Sequence, residues 1–112
     1  MDRLTQYRQI IKDTLKEYAR LFNQQPEGID VIAICDEEVD TYALINVGWD
    51  KKSRLAAMSV MMRIINGKIW MEKEETMYDF LEELLRAGVP RQDIVFGNVP
   101  EKMRPYTGFA VG

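Results

Sequence analysis

There is no histidine in the 112 residues of this chain, and there is a single cysteine, Cys35. Without histidine, Ser-His and Cys-His nucleophilic sites are excluded, as is every His-ligated metal. A lone cysteine forms no internal disulfide, which makes the cytoplasm the expected compartment. Cys35 has no thiolate-stabilising neighbour along the chain and reads as a small buried apolar residue. No apolar run approaches the roughly 20 residues needed to cross a bilayer, so no membrane association is expected. The opening MDRLTQYRQI is amphipathic and contains an acid, unlike a signal or transit peptide. An excess of positive charge is missing too: 15 Lys and Arg against 18 Asp and Glu leave a net charge of −3. Affinity for nucleic acid comes largely from cations that neutralise phosphates. The acidic balance therefore disfavours a stand-alone DNA-binding module and routes any role near DNA through a protein partner. The seven glycines form no phosphate-cradling motif.

What is present is a globular composition, 46% hydrophobic and 29% charged, in keeping with one domain over residues 1–112 and a single modest core. Leu4, Tyr7, Ile11, Leu15, Tyr18 and Phe22 recur at steps of three and four, one stripe of an amphipathic helix over residues 2–23. NQQPEG then ends it, with Pro26 and Gly28 as breakers. Arg8, Lys12, Lys16 and Arg20 form a basic row on that helix, either a solvated face or a track for phosphates.

Extended segments follow. IDVIAICD (29–36) and TYALINVGW (41–49) are strands joined by the acidic turn DEEVD. A long strand covers residues 54–65, and Asn66-Gly67 is a two-residue hairpin signal leading into KIWMEK. With that loop, Ile64 faces Ile69, Met62 faces Met71, and Arg63 faces Trp70. Ala56, Met58, Val60, Met62 and Ile64 then share the core face. Leu55, Ala57, Met61 and Ile65 fall on the second face with Arg63 and Trp70, where a guanidinium can stack on the indole. That second face is too apolar to stay wet, so a cover over part of it is expected. TMYDFLEELLRAGVP is a second helix, capped by Thr76 with Asp79 three residues on and closed by Gly88 and Pro90. DIVFG (93–97) is a short fifth strand.

Candidate chemistry is sparse. Asp36, Glu37, Glu38 and Asp40 lack the spacing that wraps a cation and read as a solvated turn. Met58, Met61, Met62 and Met71 read as core filler rather than copper ligands. No metal, cofactor or catalytic residue is assigned.

GWD (48–50), NGKIW (66–70), GVPRQDIVFG (88–97) and RPYTGFAVG (104–112) resemble the XisI family, and YRQIIKDTLKEYA (7–19) resembles its first helix. The order and spacing agree over nearly the whole length. Lys51 departs from the Asp-Gly turn of that family's pattern, and Met61 and Arg63 stand where many members have His and Asp. The resemblance implies a small cytoplasmic controlling factor for excision of the fdxN element, a DNA segment removed from cyanobacterial genomes during heterocyst differentiation. It further implies a neighbouring partner, XisH, similar to nuclease-fold proteins, with the recombination left to a separate enzyme.

The expected architecture is α+β, an antiparallel sheet of four to five strands with helices packed on one face. The expected function is non-catalytic control of DNA excision through a XisH-like partner, with a homodimer also expected and DNA engaged only indirectly. Expected partner-binding residues on the sheet are Trp49, Leu55, Met61, Arg63, Ile65 and Trp70. Arg104, Tyr106 and Phe109 extend the set into the tail, whose apolar residues dock either on their own domain or on a partner. Two alternatives stand beside this: direct DNA binding by Arg8, Lys12, Lys16 and Arg20, and a carboxylate-dependent hydrolase.

Overall fold

The computed structural model describes residues 2–24 and 28–112. Helix α1 (Arg3–Phe22) is followed by strands β1 (Ile29–Asp36), β2 (Thr41–Asp50), β3 (Ser53–Ile65) and β4 (Lys68–Glu74). Helix α2 (Phe80–Arg86), strand β5 (Ile94–Phe96) and a 3-10 turn (Glu101–Tyr106) complete the chain. Pro26, expected as a helix breaker, lies outside the described residues. Gly28 has a φ of 77°, a conformation that favours glycine.

The strands lie in the order β1-β2-β3-β4-β5. The first four form an antiparallel meander. The fifth adds parallel to β4, because the connection through α2 carries the chain back before β5 begins. The sheet is therefore mixed at one edge.

Asp2 starts α1, its carboxylate accepting the Thr5 N–H at 2.8 Å, which satisfies an otherwise orphaned donor. Tyr7, Ile11, Leu15 and Ala19 form the buried face of α1. They join Phe80 and Leu84 of α2 and the inward side chains of the strands in one cluster, so both helices pack on the same face of the sheet. The cap of α2 is Asp79, which accepts the Glu82 N–H at 3.0 Å, and not Thr76. The Thr76 hydroxyl is taken by the Glu74 carboxylate and by the local turn around Tyr78. Gly88, with a φ of 103°, closes α2, and Val89 N–H reaches back to the Leu84 carbonyl at 3.1 Å.

The β3–β4 hairpin turns at Asn66 and Gly67, both with positive φ. Its register pairs Ile64 with Ile69, Arg63 with Trp70 and Met62 with Met71, as the Asn-Gly loop requires. Beyond that the pairing shifts twice. Leu44 pairs with Val60 but Ile45 with Met58, leaving Ser59 as an extra residue, and Glu72 is skipped in the same way opposite Met61 and Met62. Each bulge reverses the alternation of faces on the far side. Val60, Met62 and Ile64 belong to the core, whereas Ala56 is exposed and Met58 half-buried outside it. The expectation of one continuous inward row from Ala56 to Ile64 fails at Ser59.

The outer edge of β1 is partly closed by α1's end. The Asn23 amide donates to the Val31 carbonyl at 2.8 Å and accepts the Val31 N–H at 2.9 Å. One side chain thus mimics a neighbouring strand and blunts an open edge.

Candidate functional site

Among the described residues no α-helix covers the second face of the sheet, and the register fixes which side chains share it. Starting from Val31, Tyr42 and Leu44 in the core, alternation places Ile32 and Ile34 of β1 on the opposite side. Their partners on β2 are Ile45 and Ala43, whose partners on β3 are Met58 and Met61. Ile32 and Ile34 are 45% and 50% exposed, large values for isoleucine in a regular strand. The bulge at Ser59 moves Met58 onto this face and sends Leu55, paired with Gly48, to the helix side. The assignment of Leu55 to the second face is thereby corrected, and Met58 takes its place. The methionines are consequently split: Met62 and Met71 are buried in the core, and Met58 and Met61 are half-buried on the far side.

At the β4–β5 end the second face is covered, and the cover is the chain's own tail. Ala110 bridges in parallel to Val95, and its N–H donates to the Ile94 carbonyl at 2.9 Å. Val95, next to Trp70 on this face, is fully buried. Phe109 meets Phe96 edge-on at 4.9 Å between ring centres and packs against the core cluster. Arg91 lies over the outer side of the Phe109 ring, 4.7 Å from its centre. Arg104 covers Trp70. The expected stacking of Arg63 on Trp70 does not form, because the Glu72 carboxylate, displaced by its bulge, holds Arg63 at 2.6 Å. Of the tail residues expected at a partner surface, Phe109 is docked within its own domain and Arg104 is half-buried, while Tyr106 remains 82% exposed. Ile65 is half-buried at the end of β3.

Trp49 stands apart near the tip of the β2–β3 hairpin, 57% exposed, with the Arg54 guanidinium carbon 5.4 Å from its ring centre. Gly48 beside it admits no side chain: a Cβ there would lie 2.2 Å from the Gly28 carbonyl oxygen.

The basic row of α1 meets the acidic turn between β1 and β2. Arg8 makes a two-pronged contact with Asp40, Nε to Oδ1 at 2.8 Å and Nη2 to Oδ2 at 3.1 Å, and Lys12 pairs with Glu37. Arg20 pairs with Glu17 along the helix at 2.6 Å, and Lys16 is exposed. Two features that look independent in sequence are thus one set of ion pairs pinning α1 to the β1–β2 hairpin. The Arg8 hydrogen bonds hold the Asp40 carboxyl below the usual range, aided by the Tyr42 hydroxyl, while burial acts against them. The Tyr42 hydroxyl is pushed above its ordinary value by burial first and then by Asp40. Across the core, burial and the accepting Asp93 carboxylate push the Tyr7 hydroxyl up to about 12. Cys35 is half-buried rather than buried, and burial raises its thiol despite nearby Lys16 and Lys12.

No curated protein matches the chain. Among solved structures it is similar to the fdxN element excision controlling factor XisI from Anabaena variabilis ATCC 29413, at 37% identity and a TM-score of 0.84 over 99% of this chain and 100% of that one. A XisI-like protein from the same organism is similar at 34% identity and a TM-score of 0.88, over 97% of this chain and 99% of that one. The XisI protein family model matches residues 1–111. The chain belongs to the XisI family.

Proposed function

We propose that this protein is a controlling factor for excision of an fdxN-type DNA element during heterocyst differentiation. It acts in the cytoplasm by protein association, with a XisH-like partner, and leaves strand cleavage to another protein. The observation that carries this reading is the 37% identity, over 99% of the chain, to a protein described as an fdxN element excision controlling factor. The local chemistry supports it. Arg8, Lys12, Asp40 and Glu37 are committed to one another, as are Arg63 and Glu72, and the exposed side chains of Ile32, Ile34, Trp49 and Tyr106 are of the kind that bind protein. The same ion pairs count against the basic row as a phosphate track.

Co-expression with the product of the adjacent reading frame tests the association. A complex that survives gel filtration is expected. Loss of the gene in its host should then abolish or deregulate excision, read by amplification across the rejoined junction. Normal excision in the deletion strain would overturn the functional reading.

A further inference from the structure

The two outer edges of the sheet are closed to different extents. Beyond β5 the tail lies alongside, with Ala110 bridged to Val95. At β1 the Asn23 amide occupies one position only, binding both backbone groups of Val31. Val31 thus turns its N–H and C=O away from β2, and alternation along the strand turns those of Ala33 and Cys35 outward as well. Among the described residues no hydrogen bond reaches them. The devices that usually blunt an edge are missing over this stretch. Ile32, Ala33, Ile34 and Cys35 include no charge and no proline, and the β1–β2 pairing runs without a bulge.

We propose that a second copy of this chain pairs along this edge, β1 to β1 and antiparallel, about a two-fold axis that passes beside Ile34. Ala33 of each copy then faces Cys35 of the other, and the outward donors and acceptors of both residues are satisfied. The register follows from what lies at either end of the open stretch. An axis at Ala33 sets Cys35 against Val31, whose groups Asn23 already holds. An axis at Cys35 sets Ala33 against Glu37, where the strand has ended. With the axis at Ile34, Asn23 meets only the turn that follows β1 of the other copy. The occupant follows from the same pattern. A strand that fits must offer open groups at two alternate residues and then break off. The β1 strand of a second copy does so by identity, and the pairing closes both edges at once, as an isologous contact requires. Side chains agree. The two Ile34 residues form the non-hydrogen-bonded pair on the axis, where side chains approach most closely. On the helix side stand Ala33 and Cys35, both small, which leaves room for the two α1 helices. So short a pairing falls below the roughly 1,200 Å² of a stable complex, which sets the dissociation constant at roughly 1–100 μM. The inference does not rest on association with a XisH-like partner, and its test uses this chain alone.

Light scattering is done on the full chain in about 0.15 M salt, which screens Lys16, near Cys35, from its copy. The mass should rise from the 13.1 kDa of one chain toward twice that value as concentration reaches about 500 μM. A mass that stays at one chain there overturns the proposal. Cross-linking in a Cys35→Ser background reads the register. Ile34→Cys sets two thiols opposite each other at a Cα separation of about 4.5 Å, within the span of a disulfide, and should give a covalent dimer on mild oxidation. Ile32 is about as exposed as Ile34, yet in this register it lies about 13 Å along the strands from its copy. Ile32→Cys should therefore stay monomeric under the same oxidation. Equal trapping at the two positions, the mark of random collision, overturns the pairing. Ala33→Pro removes an outward N–H and no bond of the β1–β2 ladder. It should raise the dissociation constant about tenfold or more while the monomer still melts cooperatively. A dimer that Ala33→Pro leaves unchanged has its contact elsewhere, such as the open face of β1–β3, and also overturns the proposal.

Discussion

Arg104 lies over Trp70, its guanidinium carbon 5.0 Å from the ring centre, while its Nε donates to the Val99 carbonyl at 3.0 Å. One side chain thus ties the last turn of the protein to the middle of β4. With Phe109 against Phe96 and Ala110 bridged to Val95, it makes the tail a part of the domain.

Deleting residues 107–112 is therefore expected to destabilise the isolated protein. Phe109 is half-buried, so the loss falls within or below the roughly 1.5–3 kcal/mol of a fully buried aromatic. It reads as a drop of several degrees in melting temperature. An unchanged melting temperature would show that the docking contributes nothing to stability.

The Arg8–Asp40 contact gives an acid-dependent term. The Asp40 carboxyl is depressed in the folded protein, so its contribution is present above the unfolded value of about 3.9 and is lost as pH falls through the lower folded value. Asp40→Asn should cost about 1 kcal/mol at pH 7, a modest figure because both side chains are partly solvated. In urea titrations at successive pH values, the gap between variant and wild type should begin to narrow below about pH 4 and shrink further as the pH falls. A gap that does not narrow at all as the pH falls below that value would refute the assignment.

Two glycines separate space from conformation. Gly48→Ala drives a methyl to 2.2 Å from backbone oxygen at Gly28, which no side-chain rotation relieves, and should cost several kcal/mol, on the order of other overpacking changes. Gly67→Ala meets open space and carries only the strain of a φ of 79°, about 1 kcal/mol. Denaturation midpoints that rank the two in the opposite order would contradict this geometry.

Binding of duplex DNA by the protein alone should be weak, with a shallow dependence on salt. Three of the four cations in the α1 row are already paired, so few counterions can be released. A steep slope in log Kd against log salt, removed by Lys12→Ala and Lys16→Ala together, would restore the row as a phosphate track.

Helices, strand order along the chain and the Asn66-Gly67 register are legible in the sequence because each rests on local periodicity or on a turn residue with one preferred conformation. The bulges are not. Nothing at Ser59 or Glu72 marks an extra residue, and a single insertion reverses every face assignment beyond it. That is why Leu55 and Met58 exchange sides. The cation over Trp70 was equally hidden: cross-strand adjacency points to Arg63, and only the fold brings Arg104 from the tail. The pairing of Arg8 and Lys12 with the acidic turn joins residues about 25–32 positions apart, a separation at which sequence spacing carries no information.

The parallel edge strand also sets an order of assembly during synthesis. Helix α1 and the four-strand meander leave the ribosome first, and their contacts form between neighbours in the chain. Until residues 94–110 follow, the outer edge of β4 is an unpaired row of backbone donors and acceptors, able to recruit the wrong chain. The final segment therefore works as a built-in chaperone for that edge. Chains stopped before Ile94 are expected to aggregate on expression, and adding the missing segment as a separate peptide should reduce the loss, as measured by the fraction recovered in the supernatant.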